Sequence, residues 1–503
     1  MNFVALKILP AGRAKFCGKL IALCLALLAG APLFGQSQAN STGQRSVSYG
    51  AASFAAQDTY TSDIQQQSPY LGGVPAGTAS TTPLQLSLED AVARGLRQNL
   101  GGLLSTDAVS GAQGEKWQAL SALLPNVTTA TSFGVRQVDI KTTIGINIPI
   151  PGVPPIIGPF GVFDTRAYLD QSIFNWESIQ RARSSAAQVK SAQYSYKNAR
   201  ELIVLVVVSN YLLVIADQSQ VVSALAQRDT AKVLFDQTTD QKQAGLAAAV
   251  DVLRSDVELQ AREQRLIVAR NSLAKQKLVL ARAIGLPAGQ AFNITTEVTY
   301  QPLTTSILEE ALQQAYSTRA DYKSLTEQVY SAELQKKAAS AERYPAVSAL
   351  VDYGDIGTNP GSSHGTVNAA GVLRFPIFQG GRVHGDNLVA DSLLARAKQR
   401  LEDLRASIDQ EVRDAYLDLQ DTAEEVSVEK NAVRLATQTL QQSRDRFSSG
   451  VTDNIEVVQA QESLADANDG YIASLYRYNV AKVALARAIG FAESNYALYL
   501  KGQ

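Results

Sequence analysis

Two acidic residues lie at matching positions of a sequence that repeats itself. Asp251 lies six residues after Gly245, and Glu456 lies six residues after Gly450. Carboxylates gathered in a ring around an aqueous passage select cations and repel anions. The alternative is that each acid lies at a helix N-terminus, where the helix dipole favours negative charge.

A serine hydrolase motif is the one pattern in the chain that suggests catalysis. Residues 361–365 read Gly-Ser-Ser-His-Gly and match G-x-S-x-G, which requires a strand before the serine and a helix after it. Strand-like sequence flanks this motif on both sides, so the composition indicates a surface loop. The chain has only two histidines, His364 and His384, and two cysteines, Cys17 and Cys24, both near the N-terminus. We therefore expect no enzyme, no cofactor and no metal site of the standard zinc type.

Composition and the N-terminal sequence limit the class of protein. The 503 residues are 46% hydrophobic, and 46 basic against 47 acidic residues leave a net charge of -1, which argues against a nucleic-acid partner. Residues 1–35 combine a basic start, a short apolar run and small residues, as in a secretory signal peptide; a short membrane anchor or buried helix is the alternative. Residues 36–83 are rich in Ser, Thr, Gln, Ala and Gly and are predicted to be a flexible extension.

The rest of the chain is internally duplicated. The string LARAIG occurs at residues 280–285 and 485–490, 205 apart, and residues 88–92 match 308–312 at an offset of 220. The offset falls because the first copy carries an insertion at residues 146–160, whose prolines disfavour a regular helix or a central strand. The predicted boundaries are listed in chain order: first repeat 84–290, linker 291–305, second repeat 306–495 and C-terminal tail 496–503.

Each repeat is predicted to contain a helix, two strands and a helical hairpin. Residues 127–136 and 366–377 alternate with period two, which is typical of strands with two unlike faces. Roughly 60 residues without proline then lead to Gly245 or Gly450, enough for a helix of about 90 Å. A glycine at a helix end followed by an immediate restart of the pattern predicts a tight turn between antiparallel helices. The strands would therefore lie at the far end of each hairpin from its tip.

Four strands cannot seal themselves in a membrane. Strands of about ten residues are long enough to cross a bilayer, but closed membrane barrels have at least eight of them. An open sheet in lipid would leave unpaired backbone groups at both edges. Chains must therefore associate, and two would give eight strands with a filled interior, whereas three would give twelve strands with room for water.

The order of elements, together with four short motifs, resembles the TolC family of outer membrane efflux proteins. The motifs are LPN at residues 124–126, YPA at 344–346, FSSGV at 447–451 and the repeated ARAIG. The resemblance implies a mainly α fold with a membrane β-barrel part, in which a homotrimer forms a twelve-stranded barrel in outer membrane lipid. A twelve-helix tunnel would continue it into the periplasm. It also implies an exit duct of a tripartite efflux or type I secretion system, docked to a periplasmic adaptor and an inner-membrane pump that selects the cargo.

The resemblance also implies a periplasmic gate at the hairpin tips. In the family, an Arg and a Tyr of the second tip link to an Asp of the first tip and hold the tunnel shut. Asp251 matches that Asp, whereas Phe447 and Thr452 stand at the Tyr and Arg positions. Either apolar contacts of Phe447 and Val451 close the mouth, or the resting mouth is looser than in relatives. The candidate gate set is Asp251, Glu456, Phe447, Thr452, Gly245 and Gly450.

Some assignments stay open at the level of sequence. Four aromatic residues, Phe133, Tyr168, Tyr353 and Phe375, form membrane-interface girdles or serve as ordinary packing residues. Two rival classes also contain long helices, namely a periplasmic adaptor and a secreted coiled-coil scaffold. An adaptor usually has one hairpin, and a scaffold needs no period-two segments, so the duplicated strand pairs favour the duct.

Overall fold

The computed structural model describes residues 68–139, 154, 156–245, 247–296, 300–303, 307–452 and 454–501. The predicted signal peptide, most of the predicted extension and much of the insertion at 146–160 lie outside these residues.

The described elements follow the same order twice. A short strand, β1 (Leu84–Leu86), precedes the first repeat, which contains α1 (Leu88–Gln98), α2 (Leu100–Ser121), β2 (Asn126–Asp139), β3 (Ile156–Phe174), α3 (Trp176–Gln243) and α4 (Ala249–Ala283). A second short strand, β4 (Phe292–Ile294), precedes the second repeat, which contains α5 (Leu308–Thr318), α6 (Ala320–Ala341), β5 (Ala346–Gly357), β6 (His364–Arg374), α7 (Arg382–Ser448) and α8 (Asn454–Ile489). A last helix, α9 (Ala492–Lys501), follows.

Equivalent helices of the two repeats have nearly equal lengths, which confirms the predicted duplication. Helices α1 and α5 each have 11 residues, and α2 and α6 each have 22. The long helices α3 and α7 have 68 and 67 residues, and α4 and α8 have 35 and 36. At about 1.5 Å per residue, each long helix extends about 100 Å, a little more than the sequence predicts.

The four long strands form one antiparallel sheet in the order β2-β3-β5-β6. The central pair β3 and β5 joins the two repeats, with Ala167 opposite Tyr353. Strands β2 and β6 therefore lie at the edges, and within the described part of the chain each has a neighbour on one side only.

The sheet has one apolar face and one polar face, because alternate residues of a strand point to opposite sides. The register places the apolar face on Val127, Phe133, Val135, Leu169, Val351, Tyr353, Val367 and Leu373. It places the polar face on Thr128, Ser132, Asp164, Arg166, Tyr168, Asp352, Thr366 and Asn368. Large side chains of the apolar face are exposed in the single chain, with Phe133 at 69% and Val367 at 70%. An exposed apolar sheet face indicates a surface that another medium or molecule covers.

Helix packing supplies the core. The largest cluster joins the middle of α3, including Ile203, Val207 and Tyr211, to α1, α4, β1 and α9. Among the described residues, α3 is the one helix long and apolar enough to cross a membrane, and half of its most apolar window is buried within the chain. A second cluster packs α5, α7 and α8 around Ile408 and Val412.

The repeated LARAIG string ends a helix in the same way in both copies. Gly285 and Gly490 adopt left-handed conformations with φ of 63° and 86°. The following residues, Leu286 and Phe491, donate backbone hydrogen bonds of 2.9 and 2.8 Å to carbonyls five residues earlier. This is the Schellman end of a helix, and it accounts for the glycine that closes the string in both copies.

Equivalent buried residues then fasten each repeat at that helix end. Asn99 Nδ2 donates to the Ala283 carbonyl at 3.2 Å, and Arg319 donates to the equivalent Ala488 carbonyl, also at 3.2 Å. Asn99 is 1% exposed and Arg319 is 2% exposed. The larger guanidinium also pairs with Asp321 and Glu411, at 2.6 and 2.7 Å. Burial opposes ionisation of Asp321, yet the bonds from Arg319 leave the pKa of Asp321 below its ordinary value.

The structure differs from the sequence expectation at four segment boundaries. Residues 72–76 belong to the folded body, since the Val74 N–H donates to the Gln98 carbonyl at 2.8 Å. The linker contains β4, which pairs in parallel with β1. Residues 496–501 of the expected C-terminal tail lie within α9, whose Leu500 is buried. Within the insertion, β3 starts at Ile156 and includes Pro159, because β3 there pairs with β2 alone.

Candidate functional site

The hydrolase-like segment lies in the loop between two strands. Strand β5 ends at Gly357 and β6 starts at His364, with a short 3-10 helix, Pro360–Ser362, between them. The Ser363 hydroxyl donates to the Pro360 carbonyl at 3.0 Å within this turn. No helix follows the serine as a nucleophile elbow requires, so the loop interpretation matches the observed backbone.

The hairpin tips carry the remaining candidate residues. Helices α3 and α4 meet at the first tip, where Gly245 has a φ of 76°, and α7 and α8 meet at the second tip, where Gly450 has a φ of 73°. At the second tip, Val451 N–H donates to the Arg446 carbonyl and Gly450 N–H to the Phe447 carbonyl, both at 3.0 Å. Glycine adopts this left-handed backbone without a side-chain penalty, so each long helix reverses within about five residues.

Asp251 contacts the start of its own helix. Its Oδ2 atom accepts a hydrogen bond from the Ala248 backbone N–H at 3.3 Å, and its Oδ1 atom lies 3.6 Å from Arg254. A carboxylate that accepts a bond from the first backbone N–H groups of its helix is what we expect if Asp251 serves as a helix N-terminal acid. The side chain stays 22% exposed, so the carboxylate also meets solvent.

Glu456 makes its contacts within the second tip. The Thr452 hydroxyl donates to its Oε2 atom at 2.6 Å, and the Ser443 hydroxyl donates to Oε1 at 3.3 Å. Arg446 lies 3.7 Å away. The hydrogen bond from Thr452, followed by the charge of Arg446, holds the pKa of Glu456 below its ordinary value. The carboxylate is therefore ionised at neutral pH and 37% exposed.

Phe447 packs within its own chain. It lies against a small cluster built from α3, α7 and α8, whose buried members are Leu234, Leu440, Val457 and Ala460. Val451, by contrast, is 68% exposed at the turn. Of the two apolar residues considered for closure, Phe447 packs against this cluster and Val451 lies at the surface of the turn.

Asn454 links the two tips and is absent from the candidate set drawn from sequence. It is 0% exposed, and its Nδ2 atom donates to the Asp251 backbone carbonyl at 3.0 Å. Its counterpart in the first repeat, at the 205-residue offset, is Ala249. The sequence did contain a signal for Asn454. Where the two repeats are aligned, asparagine in one copy corresponds to alanine in the other, and such a difference can mark a contact that only one copy makes.

The aromatic residues divide between the two sides of the sheet. Phe133 and Tyr353 lie on the apolar face, whereas Tyr168 lies on the polar face opposite Thr128 and Asp352. Phe375 follows the end of β6 and is 62% exposed. Tyr168 therefore does not belong to a girdle on the apolar face.

Comparisons with known proteins agree with this architecture. The family model described as "Outer membrane efflux protein" matches residues 109–286 and 311–491. Outer membrane protein TolC of Escherichia coli (strain K12) is 24% identical over 338 residues, covering 64% of this chain and 68% of that protein. Alkaline protease secretion protein AprF of Pseudomonas aeruginosa is 22% identical over 422 residues, covering 79% of this chain and 85% of that protein.

A solved structure shows the same fold. The outer membrane protein VceC from Vibrio cholerae superposes with a TM-score of 0.68 at 19% sequence identity, over 81% of this chain and 97% of that one. The two stretches matched by the family model each contain one strand pair and one helical hairpin, and together they span most of the chain. With that match over both repeats, the chain belongs to the outer membrane efflux protein family.

Proposed function

We propose that three copies of this chain form one continuous exit duct, with a twelve-stranded barrel in the outer membrane and a helical tunnel in the periplasm. The main observation that supports this proposal is the four-stranded sheet with two open edges and one exposed apolar face. Lipid satisfies the apolar face, and neighbouring copies satisfy the edges. Three copies fit better than two, because a twelve-stranded barrel leaves room for water beside the charged polar face, on which Asp164, Arg166 and Asp352 lie.

Membrane extraction and conductance test this proposal. The purified protein is expected to leave outer membranes only with detergent, to run as a heat-sensitive oligomer, and to conduct ions in planar bilayers. A water-soluble monomer that never conducts would refute it.

We infer that the duct works with a periplasmic adaptor and an inner-membrane pump, either for efflux or for type I secretion. Membership of the efflux family and the protease-secretion name of AprF support the two options. Crosslinking in intact cells followed by purification and mass spectrometry is expected to recover both partners. Recovery of the duct without an adaptor, under conditions that capture a known assembly in a parallel sample, would contradict this part.

The tips are proposed to be the periplasmic gate, held within each chain by Asn454 and Phe447. Asn454→Ala removes the bond to the Asp251 carbonyl, so the unassisted channel should conduct more and fluctuate more in planar bilayers. Asn479→Ala is the matched control, because Asn479 is 2% exposed on the same helix and donates to Leu475 within that helix. Equal conductance changes in both variants would show that Asn454 has no special role at the mouth.

The carboxylates of the tips are proposed to give the mouth its cation preference. A trimer gathers six of them around its axis, and each stays partly exposed beside its local partner. Replacing Asp251 and Glu456 together by Ala is expected to reduce the preference for K⁺ over Cl⁻. An unchanged reversal potential in a KCl gradient would contradict this proposal. The two acids would then serve only in their contacts at the helix ends.

A further inference from the structure

An arginine on the polar face of the sheet is fixed by partners from three strands. Arg166 of β3 donates from Nε to Asp164 at 2.9 Å, from NH1 to Asp352 of β5, and from NH2 to Thr366 of β6 at 2.9 Å. Asn368 of β6 adds a hydrogen bond of 3.2 Å to Asp352. The guanidinium thus has both carboxylates and a hydroxyl in fixed positions, and its side chain is only 16% exposed.

A glycine opposite Arg166 makes this arrangement possible. Gly354 of β5 pairs directly with Arg166, so a side chain there would point to the same polar face. A Cβ atom at Gly354 would lie 2.4 Å from the Arg166 Cγ atom. Without that Cβ atom, the arginine lies across β5 and reaches β6, flat against the sheet.

The position of this group matters because the polar face is the one that lines the pore. The apolar face must meet lipid in a membrane barrel, so residues on the opposite face line the lumen. Asp164 and Asp352 place two negative charges on that wall, and Arg166 compensates one of them. Fixed wall charges change local ion concentrations over about one Debye length, about 30 Å at 0.01 M salt and about 3 Å at 1 M.

We propose that Arg166 tunes the ion preference of the barrel, by compensating one of the two wall carboxylates, Asp164 and Asp352, halfway along the strands. The inference rests on the proposed trimeric duct, and it is separate from the tips, which lie at the opposite ends of the long helices. Each duct contains three such arginines. Their effect is to reduce the negative potential of the barrel, so that negatively charged cargo meets less repulsion there.

Reversal potentials at low and high salt test the inference. In planar bilayers with a KCl gradient centred near 0.01 M, Arg166→Gln should raise the K⁺/Cl⁻ permeability ratio by about twofold or more, because two carboxylates lose their counter-charge. Asp352→Asn should shift the ratio in the opposite direction. Arg166→Lys keeps the charge and loses the planar guanidinium, so its ratio should stay near that of the unmodified channel. All ratios should converge near 1 M KCl, where screening removes the effect.

The matched control is Asp355→Asn, the same change of charge on the same strand. Asp355 lies opposite Thr165 and Gly365, on the other face of the sheet from Asp352. Its replacement should shift the ratio less than Asp352→Asn does, because its side chain faces away from the lumen.

Three results would overturn the inference. The first is a wild-type ratio for conducting Arg166→Gln channels at low salt, and the second is an equal shift for Asp355→Asn and Asp352→Asn. If Arg166→Gln does not assemble as a heat-sensitive oligomer, the test depends on Asp352→Asn. The third result that would overturn the inference is then an Asp352→Asn channel whose permeability ratio does not shift. Failure of the unmodified protein to conduct would instead refute the duct itself.

Discussion

At the scale of single residues, a buried lysine stands out in the helical part of the chain. Lys482 of α8 is 0% exposed, donates to the Gln301 carbonyl at 2.5 Å, and lies 4.7 Å from the centre of the Tyr478 ring. Tyr478 donates to the same carbonyl at 3.2 Å. Burial lowers the pKa of Lys482 from 10.5 to about 8. Lys482 therefore binds the segment between the repeats, but burial of its charge lowers the stability of the folded state.

We predict that Lys482→Met stabilises the protein at pH 7 by about 1–2 kcal/mol, since removal of the buried charge outweighs one lost hydrogen bond whose acceptor keeps Tyr478. Below pH 8 the lysine is protonated in both states, so the folded state carries the full cost. Between pH 8 and 10.5 only the unfolded state keeps the proton, so the contribution of Lys482 to stability improves as pH rises. Thermal unfolding by circular dichroism should therefore show the advantage of Lys482→Met shrinking across that range.

Lys277 provides the control for this change, since it is the equivalent residue of the first repeat. It donates to the Phe292 carbonyl at 3.3 Å and lies 5.7 Å from the Phe292 ring, but it is only partly buried. Lys277→Met should change the melting temperature little. An equal gain in both variants, or a gain for Lys482→Met that does not depend on pH, would contradict burial as the cause.

At the scale of elements, the helix ends of the two repeats are set by their glycines. An added Cβ atom at Gly490 would lie 3.1 Å from the Arg319 backbone, in a left-handed conformation that alanine rarely adopts. Gly490→Ala should therefore destabilise the protein by about 1–3 kcal/mol in thermal unfolding. Gly114→Ala, in the exposed middle of α2 with nothing within 4 Å, should stabilise it by about 0.5–1 kcal/mol. A loss at Gly114 equal to that at Gly490 would mean that the left-handed helix end is not the cause.

The elements that sequence predicts well are those with a local, repeated signal. The long helices, the strand pairs and the tip glycines follow from period, proline spacing and comparison of the two copies. Strands β1 and β4 have three residues each and pair across 208 positions, so they are too short to show an alternating sequence pattern that would predict them. The same holds for α9, which packs into the first core cluster, and for residues 72–76, whose backbone bonds to Gln98, Leu100 and Gly285.

The candidate site is predicted less completely than the fold. Asp251, Glu456 and the two tip glycines were predicted because equivalent residues of two repeats can be compared directly. Asn454 was not, because its difference from Ala249 marks the position but not its partner, which is the backbone carbonyl of Asp251. Likewise, the three-strand contacts of Arg166 depend on the register of β3 against β5, which the sequence does not specify.

At the scale of the whole molecule, the open edges β2 and β6 decide how many chains close the barrel. Val367 on β6 and Thr129, Thr131 and Phe133 on β2 all belong to the apolar face. In a closed ring, β6 of one copy pairs with β2 of the next, so one of these β2 positions should lie beside Val367. The only cysteines, Cys17 and Cys24, lie in the predicted signal peptide, so its removal would leave a mature protein without thiols.

We therefore predict that Val367→Cys, combined in turn with cysteine at each of the three β2 positions, forms a disulfide in one register. On a non-reducing denaturing gel, complete oxidation should end at a covalent species of three chains, because the third bond closes the ring. Thr165→Cys with Val367→Cys is the control, since β3 already has neighbours on both sides. A series that ends at two chains would indicate the eight-stranded barrel, and a series that continues without an end would indicate an open assembly. Either result would contradict the water-filled lumen of the proposed twelve-stranded barrel.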